Sequence, residues 1–121
     1  MRRESRTGPS DRARFEHILR AGAAIASFVR DRRRDDLETD DMLRRALVNA
    51  VQEIGEAASR ITDEGRSRAA SLPWGQIVAM RHVLVHVYWG VDNDQLWNTA
   101  TIEVPAMIPL IQSAIAAWES R

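Results

Sequence analysis

The chain has 121 residues, 45% hydrophobic and 28% charged, with no cysteine and a formal net charge of zero. That is one domain's worth of globular protein with room for a real core, and it excludes disulfides and thiolate chemistry. No run approaches the roughly 18 apolar residues of a membrane span, and the opening "MRRESRTGPS" has no apolar core of a secretory signal, so the expected location is the cytoplasm.

Residues 1–9 are expected to form a flexible N-terminal arm, and residues 10–121 a single domain. The charge is unevenly placed. Residues 2–34 hold ten Arg against four acids, and residues 35–64 hold nine acids against three Arg. A basic segment can hold phosphates, but "RDRRRDDLETDD" reads first as a solvated stretch whose opposite charges sit side by side.

Glycine and proline are scarce and apolar residues recur at helical spacing throughout, which predicts an all-α fold. The first helix is expected to start at Ser10 as N-cap and run to the charged stretch near Arg32, with Phe15, Ile18, Leu19, Gly22, Ile25, Ala26 and Val29 on its apolar face. The second begins at Thr39 or Asp40, both good N-caps. Leu43, Leu47, Ala50, Ile54, Ala57, Ala58 and Ile61 form its stripe. Val48 and Val51 widen that stripe, which marks a helix that is central or faces both core and partner. "TDEGRSRAAS" is a loop with room for one helical turn.

The third helix opens at "SLPW", with Pro73 at the first helical position, and runs through Arg81 to about Val87. The fourth opens at "VDNDQLW", where Asp92 and Gln95 read as a capping box. Pro105 and Pro109 predict a kink, or a break with a new helix, and the last stripe holds Met107, Leu110, Ile111, Ala114, Ile115 and Trp118. Short connections predict an up-and-down bundle of four to five helices.

The segment "RHVLVHVYWGVD", Arg81 to Asp92, holds an arginine, two histidines and a tyrosine in an otherwise apolar run. On a straight α-helix Arg81 falls in the middle of a stripe of Trp74, Ile77, Val78, Leu84, Val85 and Tyr88. A guanidinium there is costly unless paired or able to reach solvent. Either it has a buried carboxylate partner, for which Glu53 and Glu56 are the candidates, or it lies at the mouth of a cleft. Gly75, Ala79, His82 and His86 form a different stripe. Small residues permit close approach of another backbone, so this face suits a second subunit. The i, i+4 histidines could hold a metal, or simply be hydrogen-bonded, and no further ligands stand at motif spacing. Arg81 and His86 lie about 140° apart on a straight helix. To act together they need a distorted helix, or two chains around one cleft.

These residues carry a resemblance. "RHVLVH" fits the Arg-X4-His signature of HEPN-domain ribonucleases, and "RHVLVHVY" extends it to the Arg-X4-His-X-Tyr of the HepT toxin family, also called DUF86. "HILRAGAAIASFV", "DDMLRRALVNAVQEIGEAASRI" and "LPWGQIVAMRHVLVHVYWGVDNDQLW" are similar to the family's first, second and motif helices. His82 stands where the family most often has asparagine. The resemblance implies a HEPN-like homodimer, the toxin of a type II toxin–antitoxin pair, acting as a metal-independent endoribonuclease. It implies a nucleotidyltransferase antitoxin of the MNT type that transfers AMP from ATP to Tyr88, and no resident cofactor.

The chemistry fits that implication. RNA carries its own nucleophile, the 2′-OH. Histidine can move the proton near neutral pH, which assigns His86 to proton transfer. A fixed guanidinium can stabilise the charge gathered on phosphorus, which assigns Arg81 to the phosphate and His82 to a supporting contact. A non-catalytic helical module that docks a nucleotidyltransferase is the alternative reading.

Overall fold

The computed structural model describes residues 10–83 and 92–119, and every regular element among them is helical. In chain order these are α1 (Asp11–Val29), α2 (Asp36–Thr39), α3 (Asp41–Ser59), α4 (Asp63–Ser67) and α5 (Trp74–Ala79). A 3₁₀ turn (Met80–His82) continues α5. Then come α6 (Asn93–Asn98), a π turn (Thr99–Glu103) and α7 (Val104–Glu119). Four principal helical rods result, with α2 and α4 as single turns inside connections. α4 is the turn expected within "TDEGRSRAAS".

The expected caps form. Ser10 Oγ accepts the amide of Ala13 at 3.2 Å, and Asp40 Oδ1 accepts that of Leu43 at 3.0 Å. Asp92 Oδ1 accepts from Gln95 N at 3.3 Å. Each satisfies an amide that the first helical turn leaves unpaired. Pro73 precedes the helix as its cap rather than opening it, a difference of one residue.

α3 is the central rod. Leu43, Leu47, Val48, Ala50, Val51, Ile54, Ala57 and Ala58 are all buried along it, because α1 covers one side and α5 with the 3₁₀ turn covers the other. α1 contributes Phe15, Ile18 and Ile25 to the core, and Ala21 rather than the exposed Ala26. Phe15 meets Trp74 and Trp118 edge-on, with ring centroids at 5.8 and 5.3 Å. Arg66 and Arg68 lie over those tryptophan faces at 5.4 and 4.2 Å, close enough for cation–π attraction. This cluster pins the start of α5.

The prolines do not break the last rod. It runs continuously from Asn93 to Trp118. Pro105 lacks an N–H, and its ring would press on the carbonyl four residues back in an α-helix. The π turn relieves this: Val104 N–H reaches Thr99 O, and the Thr101 hydroxyl donates to Trp97 O at 2.7 Å. By length and mean composition alone the rod is apolar enough to cross a membrane, although polar residues such as Asn98, Glu103 and Gln112 interrupt it and it holds no unbroken apolar run of about 18 residues. One side, with Leu96, Ala100, Val104, Met107, Ile111 and Ala114, is core. Its outer side leaves Ile102 61% and Leu110 41% exposed, so Leu110 does not join the core as expected.

The charged stretch after α1 is an ion-pair network. Arg32 bonds Asp36 and Asp40 at 3.3 and 2.6 Å. Arg34 bonds Glu38 at 2.8 Å and reaches Asp94 at the start of α6 at 2.6 Å. The side-by-side reading of "RDRRRDDLETDD" therefore holds, and one of its arginines ties the loop to the far rod.

Candidate functional site

Arg81 and His82 stand on the 3₁₀ turn that ends α5, and both are exposed. A 3₁₀ turn advances about 120° per residue instead of about 100°, so the straight-helix map of this segment fails here. Ile77 and Met80 are buried, three residues apart, and Arg81 rotates off the core face on which the α-helical count put it. Gly75, Ala79 and His82 are all exposed. A Cβ added at Gly75 would meet no heavy atom within 4 Å, so this small-residue face is open in the single chain.

The turn is held from beneath by α3. A Cβ at Gly55 would come within 2.1 Å of Arg81 N, 2.7 Å of Met80 C and 2.8 Å of Arg81 Cα. Only a residue without a side chain lets the central helix touch the backbone that carries Arg81. From the other end, α5 is fixed by Trp74, whose Nε1 donates to Ala69 O at 3.0 Å.

Neither expected carboxylate partner pairs with Arg81. The turn faces Gly55, and at about 100° per residue Glu53 and Glu56 point elsewhere around α3. Glu53 accepts from Asn49 at 3.2 Å and lies 3.9 Å from His17. Glu56 pairs with Arg60 at 3.6 Å. Among the described residues Arg81 has no ion-pair partner, so the buried-pair reading gives way to an exposed guanidinium.

His86 and Tyr88, the expected proton-transfer residue and AMP acceptor, lie outside the described residues. The two-histidine metal reading involves His86 and lies there too. Among the described residues, no group of three or more His, Asp and Glu converges.

Two cavities flank the motif segment. One of about 290 Å³ is apolar and lies between Ile77 and Met80 on the motif segment and Ile102, Met107 and Leu110 on the long rod. A smaller one, about 170 Å³, is partly polar. A larger groove of about 580 Å³ lies between α1 and α3, where Glu53 and Glu56 line it with Arg14, Arg20 and Arg60. It is wide open, and both of its glutamates already have partners, so size alone does not make it the site.

Gly55 was missed as a site residue by sequence reasoning, although "IGEA" entered the resemblance. The available signal was an isolated glycine inside a strongly periodic helix, which costs about 1 kcal/mol relative to alanine and so implies a packing reason.

The family described as "Ribonuclease HepT-like" matches residues 18–114. "Putative RNase TTE0752" of Caldanaerobacter subterraneus subsp. tengcongensis is 33% identical over 93 residues, covering 77% of this chain and 83% of that protein. "Putative RNase MJ1380" of Methanocaldococcus jannaschii is 31% identical over 88 residues, covering 73% and 81%. "Probable ribonuclease HepT" of Thermococcus cleftensis is 31% identical over 93 residues, covering 77% and 84%. No solved structure matches significantly.

Proposed function

The chain belongs to the HepT-like ribonuclease family, and from that premise we propose that it is a metal-independent endoribonuclease, the toxin of a type II toxin–antitoxin pair acting in the cytoplasm. The observation that carries this reading is the free guanidinium. Arg81 is exposed, without an ion-pair partner among the described residues, on a turn whose backbone is braced by Gly55. An exposed guanidinium without an ion-pair partner among the described residues, carried on a braced backbone, is suited to a phosphate group.

In the proposed reaction the RNA 2′-oxygen attacks the adjacent phosphorus. The O2′–P bond forms and the P–O5′ bond breaks, while O2′ gives up its proton and the leaving O5′ gains one. His86 moves the proton, Arg81 stabilises the charge on the phosphoryl oxygens, and His82 supports the phosphate contact. The products are a 2′,3′-cyclic phosphate and a 5′-OH. A metal has no role in these steps.

The active unit is a homodimer. The exposed Gly75, Ala79, His82 face and the outward Ile102 and Leu110 support a second copy here, since exposed apolar residues beside a groove suit subunit contact. Regulation follows the family pattern. A nucleotidyltransferase antitoxin of the MNT type attaches AMP from ATP to Tyr88. The Tyr88 oxygen attacks the α-phosphorus, and pyrophosphate leaves with loss of the phenolic proton. The anionic adduct then competes with RNA for Arg81.

The test is a comparison of wild type with His86→Ala on total RNA, alongside an all-2′-deoxy strand. The proposal expects cleavage of RNA by wild type alone, no cleavage of the deoxy strand, and an unchanged helical spectrum for the variant. Binding of the nucleotidyltransferase without any cleavage by either protein would favour the docking-module reading.

A further inference from the structure

The cavity of about 170 Å³ lies directly beside the turn that carries Arg81. Gln76, Ala79, Met80 and Val83 of the motif segment form one wall, and Gln95, Thr99 and Glu103 of the long rod form the other, so the cavity shares Ala79 with the face proposed for the second subunit. Met80 and Val83 are three residues apart and share one side of the 3₁₀ geometry, while Arg81 stands on the neighbouring strip. The volume is well below the roughly 300–1,000 Å³ of pockets that enclose a drug-sized molecule. It suits one planar heterocycle.

Glu103 lines both this cavity and the apolar one beside it, and it is the acidic group of this one. The buried Thr99 donates its hydroxyl to Glu103 Oε1 at 3.0 Å, which holds the carboxylate in place. Among the described residues this is its only hydrogen bond, and no cation pairs with it. A carboxylate has about four acceptor positions, so most of the capacity of this half-buried group is unused. Both residues belong to the π turn, a geometry that recurs at functional sites. A half-buried acceptor with spare lone pairs favours a ligand with two adjacent N–H donors, because charge-assisted bidentate contacts are the strong ones.

We propose that this cavity is a base subsite, in which Glu103 accepts guanine through its N1–H and N2–H groups next to the scissile phosphate at Arg81. The inference rests on the ribonuclease reading. Guanine alone presents two adjacent N–H donors on its pairing edge. Adenine and cytosine offer an amino group beside a bare acceptor nitrogen, and the single N–H of uracil is flanked by two carbonyls that repel a carboxylate. Bases in single-stranded RNA are read on this edge. Gln76 and Gln95 are exposed at the rim, where their amides can bond the remaining polar edge.

The experiment cleaves a randomised RNA pool with wild type and with Glu103→Gln, then compares matched oligonucleotides carrying guanosine or inosine at the preferred position. Inosine lacks the N2 amino group. The substituted amide can keep the Thr99 contact, so the fold is retained. The wild type is expected to favour guanine on one side of the cut by about 10–100-fold, the range for a bidentate base contact. It should lose about 10-fold or more on inosine, and Glu103→Gln should bring the guanosine-to-inosine ratio close to one. Absence of guanine preference in the wild type, or a ratio unchanged by Glu103→Gln, would overturn the inference. So would a change in oligomeric state with the ratio intact, which assigns the carboxylate to an arginine of another chain. Failure of the wild type to cut any RNA overturns the ribonuclease reading itself and is seen before the ratio is measured.

Discussion

Replacing Gly55 with alanine tests how strictly Arg81 is positioned. The added Cβ would fall 2.1 Å from Arg81 N, whereas ordinary contact begins at 3.4 Å. The turn or the central helix must therefore retreat by about 1.3 Å. No flexible side chain can absorb this, since all three close atoms are backbone. In an exposed helix the same change would gain about 1 kcal/mol, so any loss reports the contact. A misplacement of about 1 Å at a reacting centre can cost about 10²-fold in rate. Gly22→Ala is the control. There the closest atom is Ile108 Cδ1 at 2.6 Å, the free end of a side chain in the interface between α1 and α7. Single-turnover RNA cleavage should fall about 10²-fold for Gly55→Ala and little for Gly22→Ala, at a temperature where both are folded. Repeating the change in an Arg81→Lys background adds a readout that stability alone does not move. The looser ammonium should make the added loss smaller. Cleavage by folded Gly55→Ala at the wild-type rate, or equal fold-losses in both backgrounds, would refute the reasoning.

Acid should weaken the fold through the charged network. The Arg33 backbone N–H, and then Arg32, hold Asp36 below its usual 3.8. Arg32 and the Leu43 amide do so for Asp40, and Arg45 with Arg44 for Asp41. The Asn93 side chain, and then Arg34, hold Glu38 below 4.5. Lowered values mean that the folded state favours the ionised form. Their stabilisation is complete above 4.5 and is lost as pH falls through the lower folded values. Thermal melting from pH 7 to pH 2 should show that decline, and it should shrink in high salt. Phe15→Ala removes both edge-on tryptophan contacts and should cost about 3–5 kcal/mol in denaturant unfolding, and a loss under 1 kcal/mol would contradict the assigned core. Ile102→Asp together with Leu110→Asp should leave the helical spectrum intact, yet shift the protein to a monomer by sedimentation and lower cleavage. A dimer unaffected by both would remove that face as the subunit contact.

The bundle was legible because its elements obey local rules. Ser10 and Asp40 cap where short polar side chains before apolar stripes should, and the unusual breadth of the α3 stripe announced its central position. The misses arose where the backbone leaves the ideal period. Pro105 reads as a kink or a break, and a π turn absorbs it and keeps the last rod continuous. Arg81 falls on the core face, as a buried ion pair or at the mouth of a cleft, because the α-helical count was carried past Ala79, where the chain tightens to 3₁₀ geometry and leaves it exposed. The proposed carboxylate partners failed for the same kind of reason. Glu53 and Glu56 are close to Gly55 in sequence, but the rotation of α3 turns them away from the guanidinium. Thr99 and Glu103 stand four apart, a spacing that brings side chains together on any helix, but nothing in the sequence showed that a cavity lies beside them.

The most direct measurement is end-group analysis of RNA treated in EDTA with wild type, Arg81→Ala and His86→Ala, using protein made without a nucleotidyltransferase. Fragments ending in 2′,3′-cyclic phosphate and 5′-OH from the wild type, reduced about 10²–10⁴-fold by His86→Ala, are the predicted result. Cleavage that requires a divalent metal, leaves 5′-phosphate ends or survives both substitutions would contradict the account.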